Sequence, residues 1–164
     1  MDKPNLMAYS RAMDDKLNPR LAGLFAEYAA YHRHPINRLT HVFAIPAIAF
    51  HLIAMLDWVL VCQLGAFSFT LGHLAYVLVI IWYCSLNLRL GIIMALLFGV
   101  CFPLGHWTPR VAVVVIAVLA WAIQLAGHVI WEKRAPAFTT NLLQALVGPA
   151  FFVAKAIGIT RKDP

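Results

Sequence analysis

Two long tracts almost empty of charge constrain this chain more than any other feature. Between Leu39 and Leu88 the sole formally charged residue is Asp57, and between Leu90 and Trp131 it is Arg110. A bilayer crossing takes about 20 consecutive apolar residues, so each tract holds roughly two. Ordinary soluble domains are about 45–50% apolar. Here 62% of 164 residues are hydrophobic and 12% charged, too much hydrocarbon for a water-exposed surface. The tracts predict an all-α integral membrane protein, a single membrane domain over residues 1–164. Residues 1–38 form a cytoplasmic N-terminal segment, 39–159 a transmembrane bundle and 160–164 a tail.

Local signals divide the bundle. Asn18-Pro19 reads as an N-cap followed by proline at the first helical position. Leu21, Leu24, Phe25, Tyr28, Tyr31 and His32 then recur at helical spacing, while Arg20, Glu27 and Arg33 lie elsewhere on the wheel. This predicts an N-terminal amphipathic helix on the membrane surface that delivers residue 32 toward the protein. A second helix starts at Pro35 and becomes the first span, roughly 39–60, with a kink expected at Pro46. Further spans are expected over roughly 66–84, 90–107 and 111–131, punctuated by Gly65, Asn87–Arg89 and Thr108-Pro109. The total is about four transmembrane helices. A final segment, 142–159, is short and interrupted by Gly148-Pro149.

The formal charge of +6 does not mark a nucleic-acid surface, because the basic residues are scattered at the borders of the apolar tracts. Lys3, Arg11, Lys16, Arg20, Arg33 and Arg38 precede the first span, and Lys133 and Arg134 follow the fourth. Positive residues favour the cytoplasmic side. That rule puts both groups inside and predicts a multi-pass membrane protein. A fifth full span would send Arg161 and Lys162 outward, so 142–159 is expected to be a re-entrant or interfacial segment. Cys62, Cys84 and Cys101 are isolated and read as small buried hydrophobes.

This topology gathers polar residues at one depth. YHRHPINRLTH, residues 31–41, sits at the inner end of the first span, and QLAGHVIWEKR, residues 124–134, at the inner end of the fourth. Gln124, His128 and Glu132 share a helical face, as do Asn37 and His41. Asn141 and Gln144 open the final segment on the same side. His32, Asn37, His41, His128, Glu132, Asn141 and Gln144 are therefore expected to converge. Polar groups bordering a membrane usually face the bundle interior. Several imidazoles with one carboxylate suit a divalent metal, and two histidines plus a carboxylate is an arrangement of non-haem Fe(II) oxygenases. Neither HExxH nor dense HxxHH boxes occur. His34 reads as a rim residue or N-cap, His51 as a hydrogen-bonded packing residue, and His73 and His106 fall on the outer side. A His128–Glu132 pair that only caps a span is the structural alternative. Two functional rivals also stand: a haem-binding electron-transfer protein with His41 and His128 as axial ligands, and a small transporter or proton relay using His51.

These residues carry a resemblance. YHRHPINRLTH and GHVIWEKRAPAFTTNLLQALVGPAFFV are similar to the two signature blocks of a small membrane family typified by a yeast endoplasmic-reticulum 2-hydroxy fatty acid dioxygenase. The blocks cover about 40 of the 164 residues, in the right order and separation. The resemblance implies an Fe(II)-dependent dioxygenase of fatty acid α-oxidation, converting a 2-hydroxy fatty acid and O₂ to a fatty acid one carbon shorter. It implies Fe2+ as cofactor, the lipid bilayer as surroundings and an active site on the cytoplasmic side. The family histidines fall on His32, His41 and His128, with Glu132 as the acidic residue. The ligand set is either three histidines with Glu132 beside them as orienter or proton acceptor, or two histidines plus Glu132. Asn37, Asn141 and Gln144 are candidates for hydrogen bonds to substrate or to the ligands. Lys133 and Arg134 are candidates to attract the anionic head group. The acyl chain is expected to run between the spans.

Overall fold

The structure is a computed structural model that describes residues 18–160. Lys3, Arg11, Lys16, Arg161 and Lys162 lie outside the described residues, as does nearly all of the 160–164 tail. The order of elements is α1 (Pro19–Tyr31), α2 (Pro35–Asp57), β1 (Leu60–Leu64), β2 (Phe67–Thr70), α3 (Leu71–Leu86), α4 (Leu88–Gly99), α5 (Cys101–Trp107) and α6 (Arg110–Gly127). A π-helical turn at His128–Glu132 extends α6, a 3-10 turn spans Ala137–Thr139, and α7 is Leu143–Ala156.

Side-chain caps set several boundaries. Asn18 Oδ1 accepts from Arg20 N at 2.9 Å and starts α1. His34 Nδ1 accepts from Ile36 N at 3.3 Å and starts α2. Asn87 closes α3 through its backbone N–H and opens α4 through its side chain, which accepts from Leu90 N. Each cap satisfies a backbone group that the helix itself leaves unpaired. α1 buries Leu21, Phe25 and Tyr28 against α7, with the rings of Phe25 and Phe151 edge to face at 5.4 Å. Its apolar face is thus covered by protein.

The expectation of an all-helical chain needs one correction. Residues 60–70, expected as span and loop, form a two-stranded antiparallel hairpin that pairs Leu64 with Phe67 and Leu60 with Thr70. Gly65 adopts φ +59 at the first position of the two-residue turn, where a side chain is disfavoured and a twisted hairpin loop needs a positive φ. Val61, Phe67 and Phe69 have the branched and aromatic side chains that suit an extended backbone. Cys62, expected to be buried, is exposed on this hairpin, while Cys101 is buried.

Three helices are long and apolar enough to cross a membrane: Pro35–Asp57, Leu88–Trp107 and Arg110–Glu132. Within the expected second span, α3 has 16 residues, about 24 Å, against a hydrocarbon core of about 30 Å. α7 has 14 and contains Pro149. The exterior of the long helices is apolar, with Phe43, Leu96 and Val111 at least two-thirds exposed. In a water-soluble monomer such a continuous surface would aggregate.

The interior is packed through small residues. A Cβ on Gly91 would run into the sulfur and backbone of Cys84, which explains a glycine and a small side chain at the α3–α4 contact. Where α6 crosses α2, a Cβ on Gly127 would collide with the side chain of Asn37 and lie 2.7 Å from Thr40 Oγ1. Both neighbours belong to the well-packed start of α2, so they have little room to yield. Gly127→Ala is expected to cost about 1–3 kcal/mol through overpacking, read as a lowered midpoint of thermal unfolding in detergent. A Gly127→Ala midpoint equal to that of the original protein would contradict this close approach.

Candidate metal centre

His32, His41 and His128 arrive from three parts of the chain. His32 follows the last turn of α1, where its N–H bonds Ala29 O and ends the helix. His41 lies on the second turn of α2, and His128 begins the π-helical turn after α6. All three are buried, at 5%, 0% and 0% exposure. One nitrogen from each can be chosen so that the three lie within 4.8 Å of one another. Their ring centroids are 4.6, 4.8 and 4.9 Å apart, and the rings meet at 73–76°. The result is a three-bladed propeller of imidazoles.

Hydrogen bonds to the backbone decide which nitrogen faces the centre. His32 Nδ1 donates to Tyr28 O at 2.7 Å, and His41 Nδ1 donates to Asn37 O at 2.7 Å. A carbonyl only accepts, so each Nδ1 carries the proton and each Nε2 keeps its lone pair. His41 Nε2 has one in-plane lone pair but two close neighbours, Gln124 Nε2 at 2.7 Å and His128 Nε2 at 3.0 Å. His128 Nδ1 and Gln124 Oε1 are buried without a partner. Hydrogen bonds alone leave this trio unbalanced. A divalent cation taking all three lone pairs would balance it, and two adjacent ligands each about 2.1 Å from one ion lie about 3.0 Å apart. Burial holds His32 down to about pKa 4, so its ring is neutral at pH 7, the state a metal ligand requires. The residues fit a metal with three imidazole ligands.

Glu132 stands outside the trio. Its Oε1 accepts from His34 N at 2.8 Å and from Asn37 Nδ2 at 3.1 Å. Asn37 in turn presents its carbonyl to His41, so the carboxylate steadies the segment that orients this ring. His128 and Glu132 bound the π-helical turn, with His128 against His41 and Glu132 at the start of α2. Lys133, at φ 51, stops the turn and is exposed. Arg134 is held by Ala30 O at 3.2 Å and lies 3.7 Å over the Tyr31 ring.

Asn141 and Gln144 do not reach the imidazoles. Both donate to Glu27 Oε2, at 3.4 and 2.7 Å, tying α7 to α1. Glu27 was not among the expected site residues. Its wheel position opposite the apolar stripe of α1 was the available sign. His34 caps α2, as one of its two readings anticipated. His51 has both nitrogens engaged, Nδ1 with Ala47 O and Nε2 with Trp121 Nε1, which matches a packing residue. His73 belongs to a separate cluster at the far end of α2, where Thr70 Oγ1 joins it to Asp57. The haem alternative meets an obstacle: with His41 and His128 in contact and His32 against both, no slot for a macrocycle separates them.

An apolar cavity of about 180 Å³ opens from the trio. His32, His128, Gln124 and Gln144 line one end, and Leu56, Ala75 and Tyr76 the other. Along α2 the lining runs from Ile45 to Leu56, about 16 Å of helix. A second apolar cleft of about 500 Å³ reaches His41 from the side of α4 and α7.

The geometry separates the two ligand sets. Changing His32, His41 or His128 to Ala is expected to abolish stoichiometric metal in the purified protein, while His51→Ala retains it. Glu132→Gln preserves an accepting oxygen and is expected to keep the metal, with affinity reduced by about 10–100-fold at most. Metal analysis by inductively coupled plasma mass spectrometry reads both. Complete loss in Glu132→Gln would make the carboxylate a ligand.

The chain is 33% identical over 131 residues to the 2-hydroxy-palmitic acid dioxygenase MPO1 of Saccharomyces cerevisiae, covering 77% of this chain and 72% of the yeast protein. No solved structure matched. Residues 20–160, from the first turn of α1 past the end of α7, match the family described as 2-hydroxy-palmitic acid dioxygenase Mpo1-like. Helices α1 to α7, with all three histidines, lie almost wholly within that match, and the chain belongs to the Mpo1-like family.

Proposed function

We propose that this protein is an Fe(II)-dependent dioxygenase that converts a 2-hydroxy fatty acid and O₂ to a fatty acid one carbon shorter. The observation that carries the reading is the buried three-imidazole propeller at the end of an apolar cavity. Imidazoles suit iron, and a three-ligand site leaves positions open for small reactants. Bound there, iron would supply the redox chemistry and a seat for the hydroxy acid and O₂. The overall conversion balances with carbon dioxide and water as the other products. Four electrons leave the hydroxy acid and O₂ accepts four, so no outside reductant is required.

The chain's own residues bind, orient and exclude water. Tyr28 O and Asn37 O hold His32 and His41 in one tautomer and one ring orientation. Glu132 is a positioning residue, acting through the His34 N–H and the Asn37 amide. Asn37 acts through His41 in the same way. Glu27 fixes the amide nitrogen of Gln144, leaving Oε1 buried and unpartnered for the substrate head group. Asn141 shares that carboxylate and supports Gln144 from the same helix start. The acyl chain lies along α2 between Ile45 and Leu56, where the cavity wall is hydrocarbon and bulk water has no partners. Lys133 and Arg134 stand near the same end and favour an anionic head group. By the positive-inside rule this end faces the cytoplasm, with the single domain embedded as a multi-pass protein.

Anaerobic purification with Fe(II), then addition of O₂ and 2-hydroxyhexadecanoate, is expected to yield pentadecanoate by mass spectrometry. A chelator, His41→Ala or His128→Ala should each remove the product. Absence of pentadecanoate from iron-loaded protein would overturn the assignment.

A further inference from the structure

Three polar atoms at the imidazole end of the cavity have no hydrogen-bond partner although they are buried: Tyr28 Oη, Gln124 Oε1 and Gln144 Oε1. Their residues are 3%, 6% and 2% exposed. An unpartnered buried polar atom costs about 1–3 kcal/mol, and three such atoms from three helices lining one cavity are more than an empty apolar pocket needs. Tyr28 is the least expected member. Neighbouring positions of the same cluster are filled by Phe25, Phe151 and Phe152, so packing alone would be served as well by phenylalanine.

The position of the hydroxyl is tightly set. The Tyr28 ring stacks on His32 with centroids 3.9 Å apart and planes 17° apart. The phenol plane is therefore held flat against the imidazole. Gly148 faces the hydroxyl: a Cβ there would lie 3.4 Å from Tyr28 Oη and 3.1 Å from Ile45 Cδ1. Glycine keeps the space beside the oxygen open. Ile45 is one helical turn beyond His41, which places the hydroxyl one turn into the cavity from the trio. A phenol is protonated at neutral pH and can donate.

We infer that the Tyr28 hydroxyl donates the hydrogen bond that seats the carboxylate of an incoming long-chain acid, one helical turn inside the three histidines. The inference rests on the fatty-acid reading of the cavity and adds a substrate-binding residue to it. A protonated phenol matches a carboxylate, the Gln144 carbonyl accepts from an adjacent hydroxyl, and the stacking couples both to His32. A 2-hydroxy acid offers that donor and that acceptor on neighbouring carbons.

The test is binding by iron-free protein in neutral-lipid nanodiscs, with cis-parinaric acid as fluorescent probe. Hexadecanoate, 2-hydroxyhexadecanoate and hexadecan-1-ol serve as competitors. Tyr28→Phe is expected to weaken both carboxylates about 10-fold or more, as for a hydrogen bond to a charged group, and to bind the alcohol within about twofold of the original. Its iron content and unfolding midpoint should be unchanged, since only an unpartnered oxygen is removed. Equal carboxylate affinity in Tyr28→Phe, or parallel loss of the alcohol, overturns the assignment. A variant that fails to fold does so too, because the hydroxyl would then be structural. If the original protein ignores 2-hydroxyhexadecanoate but binds hexadecanoate through Tyr28, the hydroxy-acid reading falls and Tyr28 keeps its role. If it ignores both acids, the Tyr28 assignment falls as well.

Discussion

Three neutral imidazoles pressed against one another in an apolar interior make an unfavourable arrangement unless their lone pairs have a common target. His32 and His41 have fixed their protons on backbone carbonyls, so neither can turn a donor toward the centre. The surrounding structure upholds that constraint. α1 ends at His32, α2 begins with a cap that leaves His41 one turn inside, and α6 unwinds into a π-helical turn at His128. Small residues then allow the helices that carry the rings to touch, Gly127 against Asn37 and Thr40 most closely. A buried polar cluster of this kind is destabilising as a hydrophobic core and sensible as a ligand cage.

The contrast with His51 makes the point within one helix. It lies on α2 as His41 does, is 2% exposed, and donates Nδ1 to the carbonyl four residues back in the same way. Its Nε2 accepts from the Trp121 indole, and the ring is complete. What distinguishes the clustered histidine from the packing one here is therefore the destination of the second nitrogen. Burial and the first hydrogen bond are common to both.

Much of the architecture was legible because polar punctuation in an apolar chain is informative. Asn18-Pro19, His34-Pro35 and Asn87 each mark a helix boundary, and the polar residues of the two blocks share one end of the bundle. The hairpin was not legible. Residues 59–70 are as apolar as a span, and short apolar runs do not distinguish an extended from a helical backbone. The identity of the three histidines could be read, but the destination of Glu132 could not. Four-residue spacing puts it beneath His128, but neither its bond to the His34 N–H nor the π-helical turn that leads to it is written in the residue pattern. The shared side of the membrane points Asn141 and Gln144 toward the centre, and nothing in their spacing marks Glu27 as the acceptor they bond instead. Tyr28 counted only as part of an apolar stripe, although its spacing of four from His32 holds both its stacking and its carbonyl contact.

The docking of α1 also bears on the order of assembly. His41 and His128 come from helices that pack directly on each other, whereas His32 is carried by a helix whose apolar face is covered by α7. During synthesis α1 emerges first among the described elements and α7 last. Until α7 is in place, Phe25 and Tyr28 lack the Phe151 and Phe152 rings they pack against, and the end of α1 is held through Arg134 at Ala30 O and Tyr31 and through Glu132 at the His34 N–H. Docking of the third imidazole is therefore completed when the earliest and the latest described helices meet.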